Sequence, residues 1–423
     1  MPPVDQASRI ESLDVLRGFA LLGILLLNII GFGLHSAAYS NPGFDLTNQS
    51  GLDLAAWVSV ELFAEGAMRC LFSMLFGAGV VLFTTGKKSK SGAEHYKRTF
   101  WLLIFGLFDA YVLLWNGDIL VTYAIAGALL YWFRDYSVRK LLIIAGVIIG
   151  LMSALHLALG FVLGEASRSA EIMANTKNQA GLSSYVIETA AVWDEFVVDF
   201  APTDEAVAEE MAQRRDSYWS AFFWNAGKST HMITEILPMF LIWDALAMMI
   251  IGMALYKAGV LQGECSSRFY VRLMVIGFTI GLLTNAYEVL LALRNNFNLL
   301  SIFAQTQPTY HIGRLGMCLG YIGLIVWLTR EDVIASVRHL LAGVGRMALT
   351  NYLMQSLICA IVFTGLGFSQ VGELSRVALY PVVFGIWVFQ LFFSQWWLKR
   401  YRFGPIEWLW RAFTYGERPP FVV

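Results

Sequence analysis

The chain has 423 residues, of which 57% are hydrophobic and only 14% charged. A soluble domain carries roughly 25% charged residues to cover its surface, so this composition excludes an ordinary water-soluble globule and points to a lipid-facing surface. The near-zero net charge of -1 offers nothing to a nucleic acid, and the four cysteines, Cys70, Cys265, Cys318 and Cys359, contain no CxxC pair. No disulfide framework and no metal site is expected from them.

Crossing about 30 Å of hydrocarbon takes roughly 20 apolar residues. Runs that qualify lie near 15–34, 62–85, 99–116, 119–133, 141–163, 231–256, 269–291, 309–329, 343–366 and 377–398. The expected fold is therefore all-α, a polytopic bundle of about ten transmembrane helices. The first run follows Arg9, Glu11, Asp14 and Arg17 and lacks a small-residue cleavage site, so it is expected to stay as a span. Basic residues then alternate by crossing. Lys87, Lys88, Lys90, Lys97 and Arg98, then Arg134, Arg139 and Lys140, then Lys257, Arg268 and Arg272, then Arg330 and Arg338 fall on the side of the N-terminus. By the positive-inside rule both termini are cytoplasmic.

Three regions follow: an N-terminal membrane half (1–163), an acidic extracytoplasmic loop (164–228) and a C-terminal membrane half (229–423) with a cytoplasmic amphipathic tail. Within the loop, Tyr185 to Phe200 is rich in apolar residues. It is expected either to cap the bundle or to lie on the outer leaflet.

Ionisable groups inside spans are costly and mark packing pairs or sites. They include Arg69, Asp109, His156, Glu235, Asp244, Glu288, His311, Arg314 and Arg346. Glu61, Glu65 and Arg69 recur every four residues and share a stripe. Arg69 is expected to pair with Glu65 or another acid, and Arg314 with Glu288 or another acceptor. His35, His156, His231 and His311 all fall towards the outer side, where a histidine serves as general base. Arginines towards the inner side suit a phosphorylated donor.

Five segments resemble one family: Ile10 to Asn28 with its Leu-Asp-Val-Leu-Arg-Gly run, Leu71–Gly79, Trp115–Leu120 with Tyr123–Gly127, Gly345–Leu353 with Gln355 and Ser356, and Phe403–Trp408. As a set they are similar to the YeiB-like bacterial membrane proteins. The N-terminal half resembles the transmembrane acyltransferases of the heparan-glucosaminide acetyltransferase type. That resemblance implies a multi-pass protein of the bacterial cytoplasmic membrane. It implies acyl-CoA as cytoplasmic co-substrate and an extracytoplasmic or lipid-linked acceptor bearing a hydroxyl or amine. It also implies Asn28 near the thioester and His35 as base, seven residues along one helical face. The Asn28 to His35 spacing is shorter than in the acetyltransferase.

The expected site lies among the first, second, third and eighth or ninth helices. His35, Asp118 and His311 line an outer chamber, Asp14, Arg17 and Arg346 an inner mouth, and Arg69 and Asn351 assist donor binding, with Asn28 or Asn351 facing the oxyanion. The expected partners are membrane lipids and an acyl acceptor, with a homodimer as an option and no nucleic acid. The alternative is a transporter or flippase with buried charges along its path, although no inverted repeat is visible.

Overall fold

A computed structural model describes residues 11–46, 51–85, 91–176 and 181–422. Helices dominate throughout, and the described residues contain no strand beyond an isolated bridge between Tyr401 and Val422. In chain order the main helices are α1 (Glu11–Gly33), α2 (Gly51–Phe63), α3 (Ala67–Thr84), α4 (Gly92–Leu107), α5 (Leu120–Leu130), α6 (Val138–Asn175), α7 (Ser184–Phe200) and α8 (Asp204–Asp216). There follow α9 (Tyr218–His231), α10 (Ile242–Lys257), α11 (Ser267–Arg294), α12 (Tyr310–Arg330), α13 (Ala335–Arg346), α14 (Ala348–Phe363), α15 (Arg376–Leu398) and α16 (Pro405–Tyr415).

Among the described residues, seven helical stretches are long and apolar enough to cross a membrane: α1, α2 with α3, α6, α9 with α10, α11, α12 and α15. An eighth arises if α13 and α14, bent by 81°, count as one. The runs expected at 99–116 and 119–133 form the shorter α4, which ends in the π-helical turn Phe108–Val112, and α5. Neither reaches spanning length and apolarity by itself.

Helices approach closely wherever glycine removes the side chain. In lipid, where water does not drive helices together, packing of small residues does so instead. A Cβ at Gly277 would lie 2.5 Å from the Gly320 nitrogen, and one at Gly281 would lie 2.5 Å from the Met317 nitrogen, which locks α11 onto α12. Gly77 meets the Met249 carbonyl and Gly252 the Met74 carbonyl, which seats α3 on α10. Gly18 and Gly345 do the same between α1 and α13.

Polar contacts tie the helix ends into two faces. On one, Ser12 donates to the Leu261 carbonyl (2.7 Å), Lys257 to the Tyr136 carbonyl (2.7 Å), Arg338 to Glu11 (3.3 Å) and Trp410 to the Arg98 carbonyl (2.9 Å). This is the basic face. On the opposite face Asn41 donates to the Phe200 carbonyl (2.8 Å), and Phe196 and Phe200 stand against Phe303. Residues 181–217 of the acidic region sit there, held through these contacts. The 38-residue α6 would reach about 57 Å at 1.5 Å per residue, so it outruns the hydrocarbon and carries α7 against its far part. Ser183, Thr203 and Ser217 start α7, α8 and α9 by accepting backbone N–H bonds, the usual device for satisfying a helix start. Residues 185–200 lie in α7, which packs along α6 while Tyr185, Ile187, Val192 and Val198 stay exposed.

Two interruptions bring polar residues into the bundle. Between α2 and α3, Gly66 has φ of 62° and lies so near Tyr310 that an added Cβ would be 2.6 Å from its hydroxyl. Between α9 and α10, Met232–Leu241 is π-helical and contains Pro238, which lacks the N–H a helix needs.

Candidate functional site

The polar centre of the molecule joins α3, α10 and α12. Asp244, in the first turn of α10, takes both terminal nitrogens of Arg314, one at 2.9 Å. Arg314 is 1% exposed, and a guanidinium so buried needs such a bidentate carboxylate. Arg69 donates to the Tyr310 hydroxyl at 3.1 Å and stands 3.9 Å from Asp244. Tyr310 in turn donates to Glu65 at 3.1 Å. The expected Arg69–Glu65 contact is thus made through a phenol, and the partner of Arg314 is Asp244. Glu288 is occupied by the Thr309 hydroxyl at 2.5 Å.

Two histidines border this network, and their neighbours fix their tautomers. Arg314 approaches His311 Nδ1 at 2.5 Å. A guanidinium cannot accept, so Nδ1 is a lone pair and a singly protonated ring carries its hydrogen on Nε2. That Nε2 is buried and has no hydrogen-bond partner among the described residues. His156, on α6, lies 2.8 Å from the Met152 carbonyl through Nδ1. A carbonyl cannot donate, so His156 holds its hydrogen on Nδ1 and keeps the Nε2 lone pair. The two rings are 5.9 Å apart. One therefore presents a donor and the other an acceptor.

The residues expected to share one chamber fall into separate clusters. His35 leaves the helical face of Asn28, because α1 ends at Gly33. Its Nδ1 accepts from the Ala37 N–H (3.0 Å) and its Nε2 meets Glu210 at 3.0 Å, so neither nitrogen is left to take an acceptor's proton. Asn28 is half-buried, and its carboxamide bonds to no other described residue. Asp118 accepts from the Val121 N–H (2.8 Å) and the Tyr352 hydroxyl (3.3 Å), beside Asp109. Asn351 is fully buried and donates its amide nitrogen to Ser394 (3.0 Å) and the Val344 carbonyl (3.2 Å), holding the α13–α14 bend, while its carboxamide oxygen has no partner among the described residues.

His35 belongs instead to the clasp between α1 and α8. Arg214 donates to the Leu34 (2.8 Å), Phe32 (2.8 Å) and Gly31 (2.9 Å) carbonyls, the unsatisfied end of α1, and to Glu210 at 3.0 Å. A cation at a helix C-terminus is favourable on dipole grounds as well. Glu210 also accepts from the Ser36 hydroxyl at 2.7 Å. Burial alone would raise the Glu210 carboxyl. The hydrogen bond from His35, the Arg214 charge and Ser36 outweigh it and lower the carboxyl to about 2.

At the basic face Arg17 pairs with Asp14 at 3.0 Å and reaches the Gly345 carbonyl at 3.5 Å. Arg98 lies over the Trp410 ring at 4.1 Å and feels the like charges of Arg411 and Arg17. Arg346, on α13, adjoins this mouth through the Gly345 backbone. Sequence reasoning missed Arg98, which stood in a basic run used only for topology, and Arg411, which lies in the amphipathic tail. It also left His156, Asp244 and Tyr310 out of the site, although the first two were already marked as costly in lipid.

Apolar lengths and paired interior charges mark a polytopic helical protein of membrane type. The chain belongs to the YeiB-like DUF418 family. The family described as "Protein of unknown function (DUF418)" matches residues 255–417. The chain is 30% identical to "Uncharacterized protein YeiB" of Escherichia coli (strain K12) over 419 residues, 97% of each chain. It is 28% identical to "Uncharacterized protein YxaH" of Bacillus subtilis (strain 168) over 427 residues, 99% of this chain and 98% of the relative. No solved structure matches the chain.

Proposed function

We propose that the chain is a membrane-embedded acyltransferase that moves an acyl group from a cytoplasmic acyl-CoA to a hydroxyl or amine on an extracytoplasmic or lipid-linked acceptor. The observation that carries this reading is the opposed pair of His156 and His311 beside the Asp244–Arg314 bridge. In this scheme His156 Nε2 takes the acceptor's proton as its oxygen or nitrogen bonds to the thioester carbon. The His311 Nε2–H donates to the developing oxyanion, held in place by Arg314. Collapse expels the CoA thiolate, which recovers the proton from His156. Arg17, Arg98 and Arg411 would hold the CoA phosphates at the basic mouth, and Asn28 has a carboxamide to offer the thioester. His35 is not the base in this reading.

The same proposal has ten crossings in a bacterial cytoplasmic membrane, α4 and α5 crossing as a packed pair, with both termini cytoplasmic. Purified protein with acyl-CoA and total membrane lipid should release free CoA thiol. His156→Ala and His311→Ala should each lower release by at least about 100-fold, the low end of general-base contributions, while tryptophan fluorescence still reports acyl-CoA binding. Absence of acyl-CoA binding by the wild type would sink the proposal.

A second reading, transport, draws on the broken helices at Gly66 and Met232–Leu241, since interrupted helices flank binding sites in transporters. It predicts solute flux in proteoliposomes that depends on Arg69 and Asp244 and needs no acyl donor.

A further inference from the structure

Asp109 is fully buried, and neither of its carboxyl oxygens has a hydrogen-bond partner among the described residues. It sits in the π-helical turn Phe108–Val112 that ends α4. Such turns are frequent at functional positions. The backbone just beyond is strained as well, for Leu114 has φ of 62° without the freedom of glycine. Neither acyl transfer nor transport, as set out above, uses Asp109.

Its neighbour is a second carboxyl. A Cβ at Gly106 would lie 2.8 Å from Asp118 Oδ2, so Asp118 stands against α4. Gly106 and Asp109 are three apart and share that face. Asp118 and Ser356 are the groups that act on the Asp109 carboxyl. Asp118 itself is 8% exposed and accepts from the Val121 N–H at 2.8 Å and the Tyr352 hydroxyl at 3.3 Å. Donors are thus aimed at one carboxyl and not at the other. Asp118 is supported as an anion, and Asp109 is not.

No cation balances the pair. Among the described residues no Lys, Arg or His stands within ion-pair distance of either carboxyl. From α14 come Tyr352, Ser356 and Cys359, all uncharged when protonated. From α9 come Asn225 and Ser229, which donate to the Ala110 carbonyl at 2.6 and 3.1 Å, and Tyr218, which donates to the Val112 carbonyl at 3.1 Å. The cationic groups of α9 are engaged elsewhere, Lys228 with Asp199 at 3.4 Å and His231 with Glu235 at 3.2 Å. Two adjacent carboxyls without a counter-charge cannot both ionise, and a buried carboxylate without a donor takes up a proton instead. A metal ion lacks its ligands, since no group of three His, Cys, Asp or Glu side chains is assembled for one among the described residues.

We propose that Asp109 and Asp118 form a proton-binding site, in which Asp109 is the acid and donates its O–H to the Asp118 carboxylate. The proton exchanges with water through Asp118, the more exposed of the two. Its loss leaves two anions side by side, and its return restores one. Helix α4 starts at the basic face, where Trp410 meets the Arg98 carbonyl, so the pair at its far end exchanges with the opposite face. The proposal does not rest on acyl transfer, and its test contains no acyl donor.

Infrared spectra of the full chain in detergent, carrying isotope-labelled aspartate, test it. At neutral pH the labelled wild type should show a protonated aspartyl carboxyl whose band shifts in heavy water. Asp109→Asn should remove that band and leave the ionised aspartate bands unchanged, whereas Asp118→Asn should remove an ionised band. Stability gives a second readout. The folded chain keeps a proton that the unfolded chain gives up above about pH 4, so wild-type stability falls as pH rises past that value. One such proton changes the folded-to-unfolded ratio about tenfold per pH unit. Asp109→Asn should lose that slope, so its thermal midpoint should gain on the wild type between about pH 5 and 8. Should the variant fail to fold, the labelled wild type decides alone. A wild-type spectrum without protonated aspartate, a protonated band that survives Asp109→Asn, or parallel pH profiles would each overturn the proposal.

Discussion

Single residues carry unusual weight where they close a helix that water cannot reach. Arg214 satisfies three carbonyls of α1 and the Glu210 carboxylate at once. Arg214→Ala leaves the three carbonyls without that donor and leaves Glu210 with only Ser36 and His35, and should cost about 3–5 kcal/mol, as removal of one partner of a buried pair does. A lowered thermal midpoint and faster proteolysis of the 177–217 segment would show it, and an unchanged midpoint would refute the clasp. Glu210 titrates at about 2 when folded, below the usual carboxylate range. Its contribution is therefore present above about pH 4.5 and is lost as pH falls towards 2. The lobe should loosen on acidification through that window, and Glu210→Gln should remove the acid-dependent part of the transition. At this scale the sequence showed which residues were costly but not their partners. The expectation for Arg314 was Glu288 or another acceptor, and the acceptor is Asp244; hydropathy does not reveal how two helices are rotated about their axes and so leaves that choice open. His35 as base is what the resemblance to transmembrane acyltransferases implies, with a seven-residue spacing from Asn28 that would keep both on one helical face. The end of α1 at Gly33 takes His35 off that face, and Gly31 and Gly33 are the signal of that end in the sequence.

Between elements, the glycine seam of α11 and α12 is the feature most sensitive to volume. Gly281→Leu would press a side chain into the Met317 backbone and should cost about 1–3 kcal/mol or more, the usual range for overpacking. Gly146→Leu on α6 is the control. Nothing lies within 4 Å of its would-be Cβ, so its effect should stay within about 0.5 kcal/mol. Thermal midpoints in one detergent compare the two, and equal losses would contradict the seam. Gly277 and Gly281, like Gly316 and Gly320, stand four apart on one face, a small-residue spacing that sequence reasoning passed over. The breaks at Gly66 and Met232–Leu241 were less legible. Both lie inside runs whose composition is that of unbroken spans, and only the tertiary position of Tyr310 shows why Gly66 must be glycine.

For the whole molecule, the all-helical fold was legible because composition and run length determine it directly. The count was less so. Ten apolar runs become seven spanning stretches among the described residues, or eight with the bent α13–α14 pair, since α4 and α5 fall short when each is measured alone. The proposed ten crossings make a direct prediction. A reporter fused after Val423 or inserted near Lys88 should report the cytoplasm, and one near Asn178 the outside. A cytoplasmic signal from Asn178 would invert or break the arrangement.

The clasp between α1 and Arg214 also sets an order of events during synthesis. The first helix to leave the ribosome has carbonyls that wait for a residue 180 positions later. At about 5–20 residues per second, that wait lasts roughly 10–40 s. Through that interval the end of α1 must be served by solvent or by the insertion machinery. A nascent chain stopped before Arg214 should therefore expose Gly31 to Leu34 to cross-linkers that the finished protein excludes.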